Sequence, residues 1–338
     1  MDKTENDSFV NENGILAVSK AYIKSVTLSR SSNTAKTYLN GIKSFIQSLE
    51  ESGIDPNKTA ISNLTEETMI PFMNYIKDYS PATERLYITA VTGFFEYIAS
   101  ENLGAINLPR LRLLVKRRAR RPGQRLPQFP KESIEQVLKF AESLRNKACE
   151  DQTELLINLR DRAFLLTLSD TGLRVHEACN LRRGDIDWNE GRAIVIGKGD
   201  KQAVVRFSRR AQNAIMDYLR ERAKKDGTSG RSLSSLPVFA RHDRGSGSKI
   251  NPMTTTTGRN IVKDRVKEVL GPESVGSITP HSFRHYFVTR VLQGSGNLKL
   301  AQALARHKNI AVTQRYAHLT DSELDKGYWR IFENGEEI

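Results

Sequence analysis

The chain has little cysteine and no long hydrophobic run, and both shortages exclude whole classes of protein. Among 338 residues only Cys149 and Cys179 are cysteines, and no Cys-x-x-Cys pair occurs. Neither a disulfide framework nor a zinc module is indicated, and a reducing, cytoplasmic location fits. No apolar run approaches the roughly 18 residues that a membrane-spanning helix needs, so we expect no membrane partner. The N-terminus is polar and acidic, unlike a signal peptide.

Acidic residues are missing from one stretch, between Asn102 and Pro130. Over the whole chain 52 Lys and Arg outnumber 39 Asp and Glu, and the formal net charge of +13 favours a polyanionic partner. The acid-free stretch is rich in arginine and punctuated by prolines, so we interpret residues 106–130 as a basic linker between two domains. An isolated basic cluster is more often a solvated charge run or a localisation signal.

Helical periodicity dominates residues 15–105, which follow a polar tail at residues 1–14. One apolar stripe follows a helix start near Ser32-Asn33-Thr34, at Tyr38, Ile42, Phe45, Ile46 and Leu49. Ser80-Pro81 indicates an N-cap and a first helical position, followed by a stripe at Leu86, Ala90, Val91, Phe94, Phe95 and Ile98. Residues 69–76 suggest a shorter helix between them. Aromatic stripes at this spacing usually form a core, so a small all-helical domain is predicted.

Residues 131–338 are predicted to be mostly helical with one β-hairpin. An apolar helix over residues 155–171 stops at Gly172, which places Arg174 at the start of a short following helix. Two β-rich runs, 193–196 and 203–207, flank a Gly-Lys-Gly turn with Lys198 at its tip. The fold class is therefore mainly α with a small β-hairpin or sheet (α+β).

Six side chains in a fixed order suggest phosphoryl chemistry: Arg174, Lys198, His281, Arg284, His307 and Tyr316. Planar guanidiniums bind phosphate oxygens two hydrogen bonds at a time and stabilise negative charge that develops there. A phenol, with an ordinary pKa of about 10, attacks phosphorus only when a neighbour takes its proton or positive charge stabilises the phenolate. Cleavage of a phosphodiester by a tyrosine requires this set of groups.

In this order the residues resemble the signature of the tyrosine recombinase (phage integrase) family, and the resemblance covers roughly residues 15 to 330. It implies that Arg174, His281 and Arg284 face the scissile phosphate and that Tyr316 is the nucleophile. Lys198 would protonate the departing 5′ oxygen, with Lys201 as its competitor. Lys201 is also expected to be a DNA-binding residue. The remaining roles are implied for His307, which would bond a phosphate oxygen, and for Glu177 and His285, which would support the site. We assign to His281 the role of assisting Tyr316 by taking its proton.

The resemblance also implies architecture and partners. A helical core-binding (SAM-like) domain at residues 15–105 and a catalytic domain at 131–338 would clamp double-stranded DNA at a specific target site. A homotetramer on two sites would exchange strands, without ATP, metal or another cofactor, and any accessory protein is unknown. The linker would contact the DNA backbone through Arg110, Arg112, Lys116, Arg117, Arg118, Arg120 and Arg121. With about a dozen residues before the first helix, we expect no additional arm-binding domain.

A C-terminal helix would pass to the neighbouring subunit. Its apolar face is predicted from the spacing of Leu324, Tyr328, Ile331 and Phe332. For an arbitrary protein, packing of such a helix on its own domain is the more common arrangement.

One departure from the family pattern is visible, because Arg306 stands where a glycine usually precedes the histidine.

Several alternatives remain at this point. Arg174 and Glu177 form an ordinary i, i+3 ion pair if the motif is accidental. His281 and His285, at i and i+4, have the spacing of a metal site, although an arginine aimed at the same centre opposes a cation. A type IB topoisomerase would use the same chemistry to relax DNA without exchanging partners. A DNA-binding regulator on the same scaffold would lack catalysis altogether.

Overall fold

A computed structural model describes residues 13–118, 130–197, 201–242, 249–314 and 316. The chain divides into two compact units, residues 1–124 and 125–338. The division falls within the predicted linker. Within the described ranges no helix combines the length and the apolar character needed to cross a bilayer. Cys149 and Cys179 are both unpaired thiols.

The described part of the first unit is helical, as its periodicity predicts. Ser31 caps the second helix by accepting from the Thr34 amide at 3.4 Å, and Ser80 caps the fourth by accepting from the Thr83 amide at 3.2 Å. Pro81 then occupies the first turn, where its missing N–H costs nothing. The helices are α1 (Ile15–Ser29), α2 (Ser32–Glu51), α3 (Met69–Tyr75), α4 (Pro81–Ser100) and α5 (Leu108–Arg118).

Aromatic rings form the centre of this unit. Phe45 of α2 packs edge-on against Phe72 of α3, with ring centroids 5.4 Å apart, and against Phe95 of α4 at 5.8 Å. All three side chains are fully buried, so the prediction that the aromatic stripe is core is confirmed. Leu86 is the exception in its predicted stripe, since it is 53% exposed.

The interpretation of residues 106–130 as a linker throughout is corrected for its first part. Residues 108–118 form α5, whose Leu111 is fully buried in the core of the first unit. Two of the arginines assigned to DNA are in ion pairs there: Arg110 with Glu67, and Arg112 with Glu96 at 3.3 Å. Arg120 and Arg121 lie outside the described residues.

The second unit combines helices with a three-stranded antiparallel sheet of order β1-β2-β3. The predicted hairpin is formed by β2 and β3, which pair from Arg192 opposite Arg206 to Gly197 opposite Lys201. Sequence reasoning missed the two-residue strand β1. The elements are α6 (Lys131–Ser143), α7 (Gln152–Thr171), α8 (Val175–Asn180), β1 (Ile186–Asp187), β2 (Arg192–Gly197), β3 (Lys201–Arg206), α9 (Arg209–Gly227), α10 (Thr255–Leu270), α11 (Pro280–Ser295), α12 (Leu298–Ala305) and α13 (Ile310–Gln314).

Helix α7 crosses the core of this unit and ends where the site begins. It packs against α6, α9 and α11, and it stops at Gly172, which has a left-handed φ of +60°. A Cβ at this position would lie 2.4 Å from Cδ1 of Phe287 on α11. Both the backbone conformation and the close approach therefore require glycine. The prediction that Arg174 begins the next helix is confirmed, because it is the N-cap of α8.

Candidate active site

A buried carboxylate fixes Arg174 at the start of α8. The Glu177 side chain, 1% exposed, accepts from the Arg174 amide and from Arg174 Nη1, both at 2.9 Å. Burial alone would raise the pKa of Glu177, but the Arg174 amide and the guanidiniums of Arg306 and Arg174 hold it below its ordinary value. Because the Arg174 side chain remains 44% exposed, its guanidinium is anchored on one side and open to a ligand on the other.

The first two turns of α11 carry three of the candidate site residues, His281, Arg284 and His285. Thr279 caps the helix in a reciprocal box with Ser282, and Pro280 opens the first turn. Arg284 is almost completely buried and donates to the carbonyl oxygens of Gly172 and Ala305. Its guanidinium thus joins the end of α7 to the end of α12.

Tyr316 lies beside the second histidine of α11. Its hydroxyl is hydrogen-bonded to Nδ1 of His285, and the two ring centroids are 5.3 Å apart. The Tyr316 amide donates to the Thr313 carbonyl at 3.0 Å, so the backbone is anchored to the end of α13. His285 in turn meets His281 edge-on, with centroids 4.3 Å apart. The structure therefore gives the contact with Tyr316 to His285, whereas the sequence-based hypothesis gave this role to His281.

His307 is held between α12 and α13. Its Nδ1 lies 2.9 Å from Oγ1 of the fully buried Thr313, and its carbonyl accepts from the Gln302 side chain at 3.1 Å. The ring nitrogen that remains, Nε2, is the one available to a phosphate oxygen. Thr313 was not predicted as a site residue, and a lone threonine six residues after a histidine gives no sequence signal.

Burial and neighbouring positive charge lower the pKa of the basic groups at the site. Burial, Arg174 and Arg306 lower the pKa of Arg284 to about 10. Burial, His281 and Arg284 lower the pKa of His285 to about 4, and burial, Arg284 and Arg174 lower that of His307 to about 4. Burial, Arg284 and Arg174 also lower the pKa of His281. Positive charge is therefore concentrated at the site, and a bound anion would neutralise part of it.

A cavity of about 490 Å³ opens beside these groups. Arg174, His281 and Arg284 line it together with Arg259 and Lys263 of α10. None of the described residues that line it is an aspartate or glutamate. Arg259 and Lys263 were missed by sequence reasoning, because their i, i+4 spacing on a basic helix resembles any solvated face. The cavity suits an anionic group such as a phosphodiester.

Several predicted residues are placed elsewhere or lie outside the described residues. Lys198 and the C-terminal segment with Leu324, Tyr328, Ile331 and Phe332 lie outside them, and of Lys201 only the backbone, in β3, is described. Arg117 and Arg118 end α5 and belong to the first unit. Lys116 is different, because it lines a second cleft, of about 790 Å³, with Arg30 and Arg85.

The described residues add no third metal ligand to the His281/His285 pair. Within the described ranges, no group of three or more His, Cys, Asp or Glu side chains is arranged to hold an ion. His281 and His285 are close, but Nδ1 of His285 is bonded to the Tyr316 hydroxyl. The pair therefore resembles a proton-handling arrangement more closely than a metal site.

Arg306 replaces the glycine expected before His307, and the structure shows how it fits. The residue is the C-cap of α12 with φ +57° and ψ +41°, a left-handed conformation that costs a side-chain-bearing residue about 1–2 kcal/mol. Its Nη2 donates to Glu177 at 2.9 Å. The turn keeps the geometry of a helix that ends in glycine, and the arginine adds a third guanidinium to the site.

The two depressed histidine pKa values predict how stability depends on pH. In the unfolded chain both rings titrate at their ordinary pKa of 6.5, whereas in the folded protein they stay neutral to about 4. The unfolded state therefore binds more protons below 6.5, and the free energy of unfolding should decrease as the pH falls from 6.5 towards 4.

Urea unfolding at about pH 7.5 and about pH 5.5, above most carboxylate titration, measures this loss. The variant His285→Gln/His307→Gln should lose less stability between the two pH values than the wild type. His176→Gln, at an exposed histidine of α8, is the matched control and should behave like the wild type. An unchanged loss in the double variant would contradict the assignment.

Comparison with known proteins identifies the family. The phage integrase family model matches residues 129–323, which is more than half of the chain. A tyrosine recombinase XerC of Staphylococcus aureus is 28% identical over 314 residues, covering 92% of this chain and 95% of the relative.

Solved structures share the fold. The XerH site-specific recombinase, bound to its difH substrate in a pre-cleavage complex, is 20% identical with a TM-score of 0.64, over 93% of this chain and 83% of that one. A lambda integrase (75–356) dimer bound to a COC′ core site is 17% identical with a TM-score of 0.61, over 90% and 95%. At these identities the likeness supports the fold alone. The family match over more than half of the chain, with the XerC relative and the shared fold, shows that the chain belongs to the phage integrase family and is a tyrosine-type site-specific recombinase.

Proposed function

We propose that Tyr316 cleaves one strand of duplex DNA at a phosphate held by Arg174 and Arg284, and that the strand is later rejoined to a partner duplex. The observation that carries this proposal is the hydrogen bond between the Tyr316 hydroxyl and His285 Nδ1, beside a cluster of guanidiniums. A phenol bonded to a neutral imidazole has a proton acceptor, and a phenol near guanidiniums has charge stabilisation. Both conditions for a tyrosine nucleophile are met.

His285, with a pKa of about 4, is neutral at neutral pH and so has a ring nitrogen able to accept a proton. The Tyr316 oxygen forms a bond to phosphorus while its proton passes to His285, and the bond from phosphorus to the 5′ oxygen breaks. The products are a 3′-phosphotyrosyl link and a 5′ hydroxyl. We assign the proton that the 5′ oxygen takes up to Lys198, or to Lys201 as its competitor.

Fixed donors replace a metal ion in this proposal. Arg174 and Arg284 neutralise the non-bridging oxygens, and His281 and His307 contribute further hydrogen bonds. When the link is reversed by a 5′ hydroxyl of the partner duplex, the phosphodiester energy is recovered, so no ATP is needed. No step calls for a cofactor.

Duplex DNA is the proposed partner of both units. In the first unit, the cleft lined by Arg30, Arg85 and Lys116 also carries hydroxyls of Ser25 and Thr92 and one carboxylate, Glu96, which is paired with Arg112. The basic and hydroxyl groups suit sugar–phosphate contacts. In the second unit, Arg259 and Lys263 beside the cavity suit phosphates that flank the scissile one. Arg110 and Arg112 are less suited than predicted, because Glu67 and Glu96 already pair with them. The action on DNA is proposed to occur in the cytoplasm.

Assembly as a homotetramer on two target sites remains part of the proposal. Strand exchange between two duplexes requires four cleavages, and one chain carries one Tyr316. The passage of the C-terminal helix between subunits would couple assembly to cleavage, but that segment lies outside the described residues.

The experiment that tests this function uses two differently marked duplexes that carry the DNA flanking the coding sequence, in excess EDTA. We expect recombinant junctions with crossover at one position, because the arginines and Lys198 act without a divalent ion. A supercoiled plasmid with the same DNA is the control for topoisomerase activity. Relaxation without junctions would favour a type IB topoisomerase, and a requirement for added divalent metal would restore the His281/His285 metal site.

A further inference from the structure

Arg306 occupies a backbone position that disfavours it. Its φ of +57° is left-handed, and at the end of a helix this conformation is normally filled by glycine or asparagine. In the described ranges the one other non-glycine residue with a positive φ is Asn102. A large side chain retained in a strained conformation indicates a task that outweighs the strain.

The guanidinium of Arg306 contacts the acceptors that hold the other two arginines. Its Nη2 donates to Glu177 Oε2 at 2.9 Å and lies 3.5 Å from the Gly172 carbonyl oxygen. Glu177 Oε1 accepts from Arg174 at 2.9 Å, and the Gly172 carbonyl accepts from Arg284. Each carboxylate oxygen of Glu177 therefore accepts from one guanidinium, Oε1 from Arg174 and Oε2 from Arg306, and Oε2 also accepts from the Arg174 amide.

Burial makes this contact a fixed one. The Arg306 side chain is 12% exposed and that of Glu177 1%, so neither is free to swing into solvent. The backbone of Arg306 belongs to the turn that leads from α12 into His307, and α13 then carries the chain to Tyr316. The Arg306–Glu177 ion pair thus connects the chain segment that leads to Tyr316 with the carboxylate that anchors Arg174.

We propose that Arg306 is a positioning residue for strand cleavage, which holds the α12–α13 turn against the Glu177–Arg174 pair. This assignment rests on the proposed function. Arg306 acts through Glu177 and does not touch the phosphate. Without it, Glu177 would have Arg174 as its remaining guanidinium partner and would draw more of that charge away from the phosphate, while the turn would lose its tie to α8.

Arg306→Gly is the variant that tests the proposal, because glycine suits the left-handed backbone and the protein should fold. We expect DNA affinity in a gel-shift assay to change little. The cleavage rate of the bound complex should fall about 100-fold, the scale of a misplacement of about 1 Å at a reacting centre. Arg306→Lys, which keeps a charged donor opposite Glu177, should recover part of the rate. Lys308→Gly, at an exposed residue of the same turn, should cleave like the wild type.

A double-mutant cycle separates positioning from direct action on the phosphate. If Arg306 acts through Glu177, then Arg306→Gly should add little to the defect of Glu177→Gln. A defect that is equally large in the Glu177→Gln background would overturn the proposal, as would a normal cleavage rate in Arg306→Gly. A wild-type protein that forms no covalent adduct would instead refute the proposed function, so the two failures are distinguishable.

Discussion

Arg284→Ala is expected to slow strand cleavage in the bound complex by about 10²- to 10³-fold, the loss typical when one fixed donor to a developing charge is removed. Arg284 is the more buried of the two guanidiniums assigned to the phosphate, and burial, together with the neighbouring Arg174 and Arg306 guanidiniums, lowers its pKa to about 10. An anion at the site benefits most from a cation that water does not screen.

The same substitution also removes two structural hydrogen bonds. The carbonyls of Gly172 and Ala305 lose the hydrogen bonds that Arg284 donates, so Arg284→Ala should be less stable towards unfolding as well. Arg284→Lys separates the two effects, because it keeps the charge but not the planar fork. Arg290→Ala, at an exposed arginine of the same helix, is the matched control for a lost charge.

Single-turnover cleavage of a labelled duplex at saturating protein gives the rate, and a gel shift gives the affinity. Arg284→Ala should reduce the rate far more than Arg290→Ala does at equal occupancy of DNA. If the two alanine variants cleave equally fast, Arg284 has no special role at the phosphate.

The helices that could be predicted are those in which apolar spacing and capping residues agree. Ser80 and Pro81 begin α4, and Gly172 ends α7, where the sequence places them. The helix α5 was not predicted, because a proline and several basic residues obscure an apolar stripe at Leu108, Leu111 and Val115. Its helical form depends on a core that is distant in sequence.

The residue types of the site could be predicted from the sequence, but the contacts between their side chains could not. Arg174, Arg284, His307 and Tyr316 come together in the structure, as their motif order suggests. The choice between His281 and His285 could not be made from the sequence, because residues at i and i+4 share one helix face. Only the tertiary position of Tyr316 selects His285.

The pairing of Arg306 with Glu177 was equally hidden. A replaced glycine suggests an altered turn, whereas the structure keeps the left-handed turn and uses the side chain for an ion pair across 129 positions of sequence. Contacts of this separation leave no periodic signal. The departure from the family pattern was therefore visible, but its consequence was not.

Tyr316→Phe is expected to abolish cleavage completely while DNA affinity stays near the wild-type value. The change removes one oxygen and no positive charge, so the phosphate contacts proposed for Arg174 and Arg284 should persist. Without the phenolic oxygen there is nothing to bond to phosphorus. Tyr286→Phe, at a buried tyrosine of α11 whose hydroxyl lies 3.5 Å from Glu135, is the matched control and should retain cleavage.

The most direct measurement is the covalent protein–DNA adduct, trapped on a nicked duplex, separated on a denaturing gel and mapped by peptide mass spectrometry. The wild type and Tyr286→Phe should both give an adduct in which the 3′ phosphate is attached to Tyr316, and Tyr316→Phe should give none. An adduct that persists in Tyr316→Phe, with the phosphate on Tyr286 or Tyr328, would contradict the assignment of Tyr316 as the nucleophile.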